Sequence, residues 1–111
     1  MKNQELTSHH NKLNKLMTAT DSFFKKFELL DDKVYHEGAI SKKNKELMGP
    51  AISVVTRCNE CILYHINGCL DLEASKEEIV DAIKIGVIAG ESITYPNARF
   101  ALEMLKELQV V

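Results

Sequence analysis

The sequence has no tryptophan, only two prolines and only five glycines. So little turn-forming material argues against a fold of many short strands and favours helices. No stretch reaches the length of a membrane span, and the opening MKNQELTSHHNKLNKL lacks the apolar run of a secretory leader. The expected compartment is therefore the cytoplasm, with no membrane partner. A formal charge of −2 offers no electrostatic attraction for nucleic acid or anionic lipid, so neither is expected to bind. What is present is ordinary for a globular chain, 45% hydrophobic and 27% charged. At 111 residues it forms one domain, whose large surface share favours subunit association.

The cysteines are the exception. There are three, an odd number, within twelve positions of one another. Loops that short add little as structural staples, and cytosolic C-x-x-C is usually redox-active or metal-binding. Cys58, Cys61, His65 and Cys69 lie in TRCNECILYHINGCL at i, i+3, i+7 and i+11. On a helix they project at roughly 0°, 300°, 340° and 20°, one narrow stripe. Cys61 and His65 form an i,i+4 pair, close enough for the imidazole to take a thiol proton.

The rest reads as a helical scaffold. A first helix spans Gln4 to Met17, within an N-terminal extension covering residues 1–20, and His9 and His10 read as solvated surface. Thr20 or Asp21 caps a second helix whose face is Phe23, Phe24, Phe27, Leu30, Val34 and Tyr35, with Gly38 as its C′ residue. His36 suits the negative end of that helix. Ser41 opens a third, SKKNKELMGPAISVVTR. Within it Pro50 cannot donate to the Glu46 carbonyl, which predicts a kink and leaves that carbonyl to a water or a side chain. Thr56 caps a fourth helix, placing Cys58 in its first turn. Asp71 to Ala74 is a loop, and Ser75-x-x-Glu78 a capping box for a fifth helix with Ile79, Val80, Ile83, Val87 and Ile88 inward. Gly86 and Gly90 permit close approach of another helix. A last helix runs from Tyr95 to Leu108, with Ala98, Ala101, Leu102, Leu105 and Leu108 inward and Pro96 in its first turn.

If helices three and four run antiparallel, facing residues share a midpoint at the turn. For Glu46 and His65 that midpoint is (46+65)/2 = 55.5, where the chain is expected to break. One straight helix would hold them about 28 Å apart. The hairpin instead brings a carboxylate to the imidazole.

The thiolate is the nucleophile, and two features favour it on different cysteines. A first-turn Cys58 feels the positive end of the helix dipole; Cys61 has His65 one turn away. With Glu46 holding the imidazole, the set is nucleophile, base and orienting carboxylate. A peroxide would leave a sulfenic acid that the other cysteine condenses to a disulfide, and a disulfide substrate would be reduced by exchange. Two competitors stand beside this. The cysteines can be small apolar residues on a buried face. They can also hold zinc, although four ligands along three turns of one helix cannot converge on one ion, which leaves only a partial site shared between subunits.

Glu46, Cys58, Cys61 and His65 match E-x11-C-x2-C-x3-H, and in this the sequence resembles the AhpD-like alkylhydroperoxidase branch of the carboxymuconolactone decarboxylase family. The resemblance covers about Phe23 to Leu105, including SKKNKELMGPAISVVTRCNECILYH and the S-K-E-E-I helix start. It implies an all-α bundle of five to six helices assembled as trimers or hexamers, with the redox cysteines near subunit contacts. It implies a thiol-dependent hydroperoxide reductase or disulfide oxidoreductase with neither metal nor organic cofactor. The substrate would be a small hydroperoxide or a disulfide, and the electron donor a dithiol or lipoyl-type protein. Carried over, Cys61 is peroxidatic, Cys58 resolving, His65 the base and Glu46 its partner. The family's best-known peroxidase has a histidine before the second cysteine where this chain has Glu60, whose charge disfavours the Cys61 thiolate. The decarboxylases that name the family lack the cysteine pair, so a lyase acting on a ring acid is the alternative enzyme. A non-enzymatic redox sensor is the alternative outside catalysis.

Overall fold

Asp21 separates two helices within residues 2–34. In the computed structural model, which describes residues 2–109, its extended backbone (φ −154°, ψ 139°) breaks the helix, and its carboxylate caps the next by accepting from the Phe23 N–H at 2.8 Å. The first helix, α1 (Lys2–Thr20), outruns the expected Gln4–Met17. In its last turn the hydroxyls of Thr18 and Thr20 donate back to the Lys15 and Leu16 carbonyls. The second, α2 (Ser22–Val34), ends earlier than expected. Gly38 is not its C′ residue: among the described residues no glycine has positive φ, and the Gly38 N–H donates to the Ile40 carbonyl. The helix closes instead through the Tyr35 N–H on the Asp31 carbonyl, and the His36 ring bonds the Asp32 carbonyl, serving the helix end as anticipated. None of α2 is buried; Phe23, Phe27, Leu30 and Val34 are each more than half exposed.

These elements belong to one compact unit, up to Lys42; a second begins at Lys43. The second unit holds α3 (Lys42–Val55), α4 (Asn59–Asp71), α5 (Lys76–Gly90), a short 3-10 turn at Ser92–Thr94, and α6 (Tyr95–Gln109). All the described secondary structure is helical. The expected capping box forms in full. The Glu78 N–H donates to Ser75 Oγ at 3.0 Å, and the Ser75 N–H to Glu78 Oε1 at 2.8 Å. Lys43 reaches the same carboxylate at 3.1 Å, and the Ser75 amide followed by this ammonium holds Glu78 below the usual carboxylate range.

The core of this unit gathers Val54 of α3, Ile62, Ile66 and Cys69 of α4, Ile79 and Ile83 of α5, and Ala98, Ala101 and Leu105 of α6. Two expected inward residues point elsewhere. Ile88 is 77% exposed because nine positions past Ile79 is half a turn of phase, about 180°. On α6 the buried arc runs through Ala98, Ala101, Met104 and Leu105, so Leu102 falls about 100° from its centre and Met104 takes the interior place. Gly86 provides the close approach its size allows. A methyl there would meet the Ala51 carbonyl oxygen at 2.6 Å and Val54 Cβ at 2.9 Å, so α5 rests against α3.

Candidate functional site

The site is built by the reversal between α3 and α4. Arg57 takes positive φ (56°), its N–H donates to the Val54 carbonyl at 3.1 Å, and the Cys58 N–H donates to the Ser53 carbonyl at 3.0 Å. That is the pair of hydrogen bonds of a Schellman ending, with arginine where glycine is usual. Thr56 therefore does not cap α4: its hydroxyl donates back to Ser53. Cys58 is the cap, in extended conformation (φ −105°, ψ 96°), its sulfur accepting from the Cys61 N–H at 3.2 Å. Cys58 is thus one position outside the first turn in which it was expected, and Cys61 lies inside it. The positive end of α4 consequently serves both sulfurs, and the dipole no longer distinguishes them.

Cys58 and Cys61 form a disulfide, with Cα atoms 5.2 Å apart. Cys61 is exposed, His65 is largely shielded and Cys69 is completely buried. The predicted stripe therefore descends from solvent into the core along α4. Among the described residues, no three His, Cys, Asp or Glu side chains group closely enough to share a metal ion.

The hairpin sets Glu46 against His65, Oε1 to Nδ1 at 3.5 Å, with the two side chains 10% and 14% exposed. The helix crossing has a reciprocal construction. A methyl at Gly49 of α3 would lie 2.2 Å from Cγ of His65, and one at Gly68 of α4 would lie 2.8 Å from Oε2 of Glu46. Each helix thus opens a glycine notch for the polar side chain of the other. Both pairs, 49 with 65 and 46 with 68, have their midpoint at 57, the residue that makes the turn. Oε2 of Glu46 is buried without a hydrogen-bond partner among the described residues. The Glu46 carbonyl accepts the Cys69 thiol at 3.2 Å. Burial first, then the charges of Glu46 and Glu78, push that thiol up to about 12, so it remains a protonated donor.

Gly49, Gly68 and Cys69 as a donor were not among the residues singled out from the sequence. A signal existed for the glycines, because each costs about 1 kcal/mol inside a helix and so marks a packing purpose. Chemically, the arrangement offers two sulfurs that can exchange electrons as a dithiol–disulfide couple. Beside them, on the next turn, is an imidazole backed by a carboxylate.

These features define an all-helical protein whose paired cysteines stand at the start of one arm of a helical hairpin. The chain belongs to the carboxymuconolactone decarboxylase family, whose model matches residues 21–107. It is 38% identical to a Thermotoga maritima member of that family, described with a suggested involvement in antioxidative response. The TM-score to that crystal structure is 0.86, covering 95% of this chain and 90% of the other. A carboxymuconolactone decarboxylase family protein from Legionella pneumophila, 26% identical, superposes with a TM-score of 0.85 over 98% of both chains. A Paracoccus denitrificans protein, uncharacterized protein 4 in the cox locus, is 33% identical over 82 residues, 74% of each chain.

Proposed function

We propose that this protein is a thiol-dependent hydroperoxide reductase, able in the same way to reduce disulfides. The observation that carries the reading is the Cys58–Cys61 disulfide at the start of α4, with the Glu46–His65 pair on the turns below. The antioxidative role suggested for the Thermotoga maritima relative supports it. His65 takes the Cys61 proton, and Glu46 orients and balances the imidazolium. The Cys61 thiolate attacks the peroxide O–O bond, the alcohol leaves with the proton, and Cys61 becomes a sulfenic acid. The Cys58 thiol displaces water from that sulfur to give the disulfide. A dithiol donor, a lipoyl-type protein or its equivalent, reduces the disulfide by two exchange steps.

The assay is hydroperoxide consumption with a dithiol donor. Wild type turns over many times, Cys61→Ser is inactive, and His65→Ala loses about 10²–10⁴-fold. Equal rates for wild type and Cys61→Ser refute the proposal. Turnover of a ring-acid substrate that survives thiol alkylation would instead make the protein a lyase, and oxidation that halts after one equivalent would make it a sensor.

Self-association belongs to the same reading. The exposed Phe23, Phe27, Leu30 and Val34 of α2 supply an apolar face of the kind subunits cover. Among the described residues, no helix is long and apolar enough to cross a membrane.

A further inference from the structure

The third cysteine has no part in the chemistry just proposed, and its surroundings give it another task. Pro50 has no N–H, so the carbonyl four residues earlier, that of Glu46, loses its helical donor. Glu46 is buried, and an unpaired buried carbonyl is costly. Cys69, fully buried on the facing helix, fills the place: its thiol donates to that carbonyl at 3.2 Å. The residue before it, Gly68, lies against the carboxylate of the same Glu46. Two consecutive residues of α4 therefore hold one glutamate at both ends, the main chain through Cys69 and the side chain through Gly68.

We propose that Cys69 is a positioning residue whose S–H···O=C bond fixes the proline-opened turn of α3 and so holds the Glu46 carboxylate on His65. Its catalytic consequence rests on the function proposed above; its structural content does not. Cys69 is not a third redox thiol. It lies eight residues along α4 from Cys61, about 12 Å of helix rise, and is sealed from solvent. It also stays protonated where Cys61 must ionise.

The direct test uses the wild-type protein after oxidation, when the Cys58–Cys61 disulfide leaves Cys69 as the single thiol. Its infrared S–H stretch is expected below that of an alkyl thiol in hydrocarbon solvent; a band at the free-thiol position overturns the proposal. The second test compares Cys69→Ala, Cys69→Ser and Pro50→Ala by the ring ¹⁵N shifts of His65 and by kcat. Cys69→Ala is expected to move the His65 shifts and lower kcat about three- to tenfold with KM unchanged, while Cys69→Ser, which keeps a donor, preserves both. Placing Cys69→Ala in the Pro50→Ala background is expected to abolish most of its effect, because the backbone N–H restored by that substitution then serves the Glu46 carbonyl. An effect of Cys69→Ala that is equal in both backgrounds, or unchanged His65 shifts in a folded Cys69→Ala protein, refutes the assignment. If the wild type consumes no hydroperoxide, the functional proposal falls, and the infrared and ¹⁵N results still decide the role of Cys69.

Discussion

The imidazole of His65 occupies space that any side chain at residue 49 would claim: a Cβ there would stand 2.2 Å from the ring Cγ and 2.5 Å from Nδ1. Gly49→Ala must therefore displace the ring. Alanine gains about 1 kcal/mol of helix propensity over glycine, while overpacking costs about 1–3 kcal/mol. The net loss of stability is expected to be small. Activity is expected to fall far more, by about a hundredfold, because a displacement near 1 Å is enough to misalign a proton relay. Gly68→Ala, which presses on the flexible end of Glu46, is expected to be milder. Thermal melts beside peroxide kinetics check the pair, and a Gly49→Ala enzyme with full turnover would show that the notch is dispensable.

Among the described residues, three other than glycine have positive φ, and they differ in kind. Arg57 and Glu73 end α3 and α4 with φ of 56° and 62°. Glu91 follows α5 at φ 66°, ψ −171°, a region that glycine almost monopolises. Replacement by glycine relieves the strain and gives back part of it as unfolded-chain entropy. Glu73→Gly is expected to stabilise by roughly 0.5–1 kcal/mol and Glu91→Gly by roughly 1–2 kcal/mol. Urea melts of the two variants against wild type test both the sign and the ranking.

What could be read from the sequence followed how local each interaction is. The C-x-x-C pair and its histidine lie within eight residues, so helical phase alone sets Cys61 and His65 one turn apart on α4, while Cys58 precedes the helix as its cap. A midpoint across one reversal pairs Glu46 with His65, and in the structure they lie 3.5 Å apart. The sequence points to Thr56 as the cap and the structure uses Cys58, because the left-handed residue that ends α3 is an arginine, which carries no turn signal. Pro50 marked the Glu46 carbonyl as open, while its donor, Cys69, is 23 residues away and visible only once the crossing is known. Residue type alone marks Gly38 as a helix end, and α2 closes through Tyr35 instead.

Glu60 sits in the first turn of α4 beside Cys61. Its negative charge stabilises that helix end and opposes ionisation of the neighbouring thiol, so the two effects separate on neutralisation. At a separation of about 6 Å in water the repulsion is about 0.7 kcal/mol. Glu60→Gln is expected to speed alkylation of reduced Cys61 at neutral pH about threefold and to lower the melting temperature slightly. The acceleration should shrink as salt is added, since the residue is exposed. A rate that is unchanged at low salt would mean that this carboxylate does not act on the sulfur.

Burial of Cys69 also makes stability depend on alkaline pH, with a definite sign. Its thiol is raised from 9.0 to about 12 in the folded chain, by burial first and then by the charges of Glu46 and Glu78. Above pH 9 the unfolded chain loses this proton while the folded chain keeps it. The contribution is therefore complete below pH 9 and lost as pH rises from there toward 12. Each pH unit in that window is expected to remove roughly 1 kcal/mol of unfolding free energy. Lysines and tyrosines titrate in the same range, so the measurement is the difference in slope between oxidised wild type and oxidised Cys69→Ala, each followed by urea unfolding at pH 8.5, 9.5 and 10.5. The variant lacks the bond to Glu46 and starts less stable, and the two curves should converge as pH rises. Parallel curves would mean that the thiol ionises as readily inside the fold as outside it, and a thiolate could not be donating to the Glu46 carbonyl.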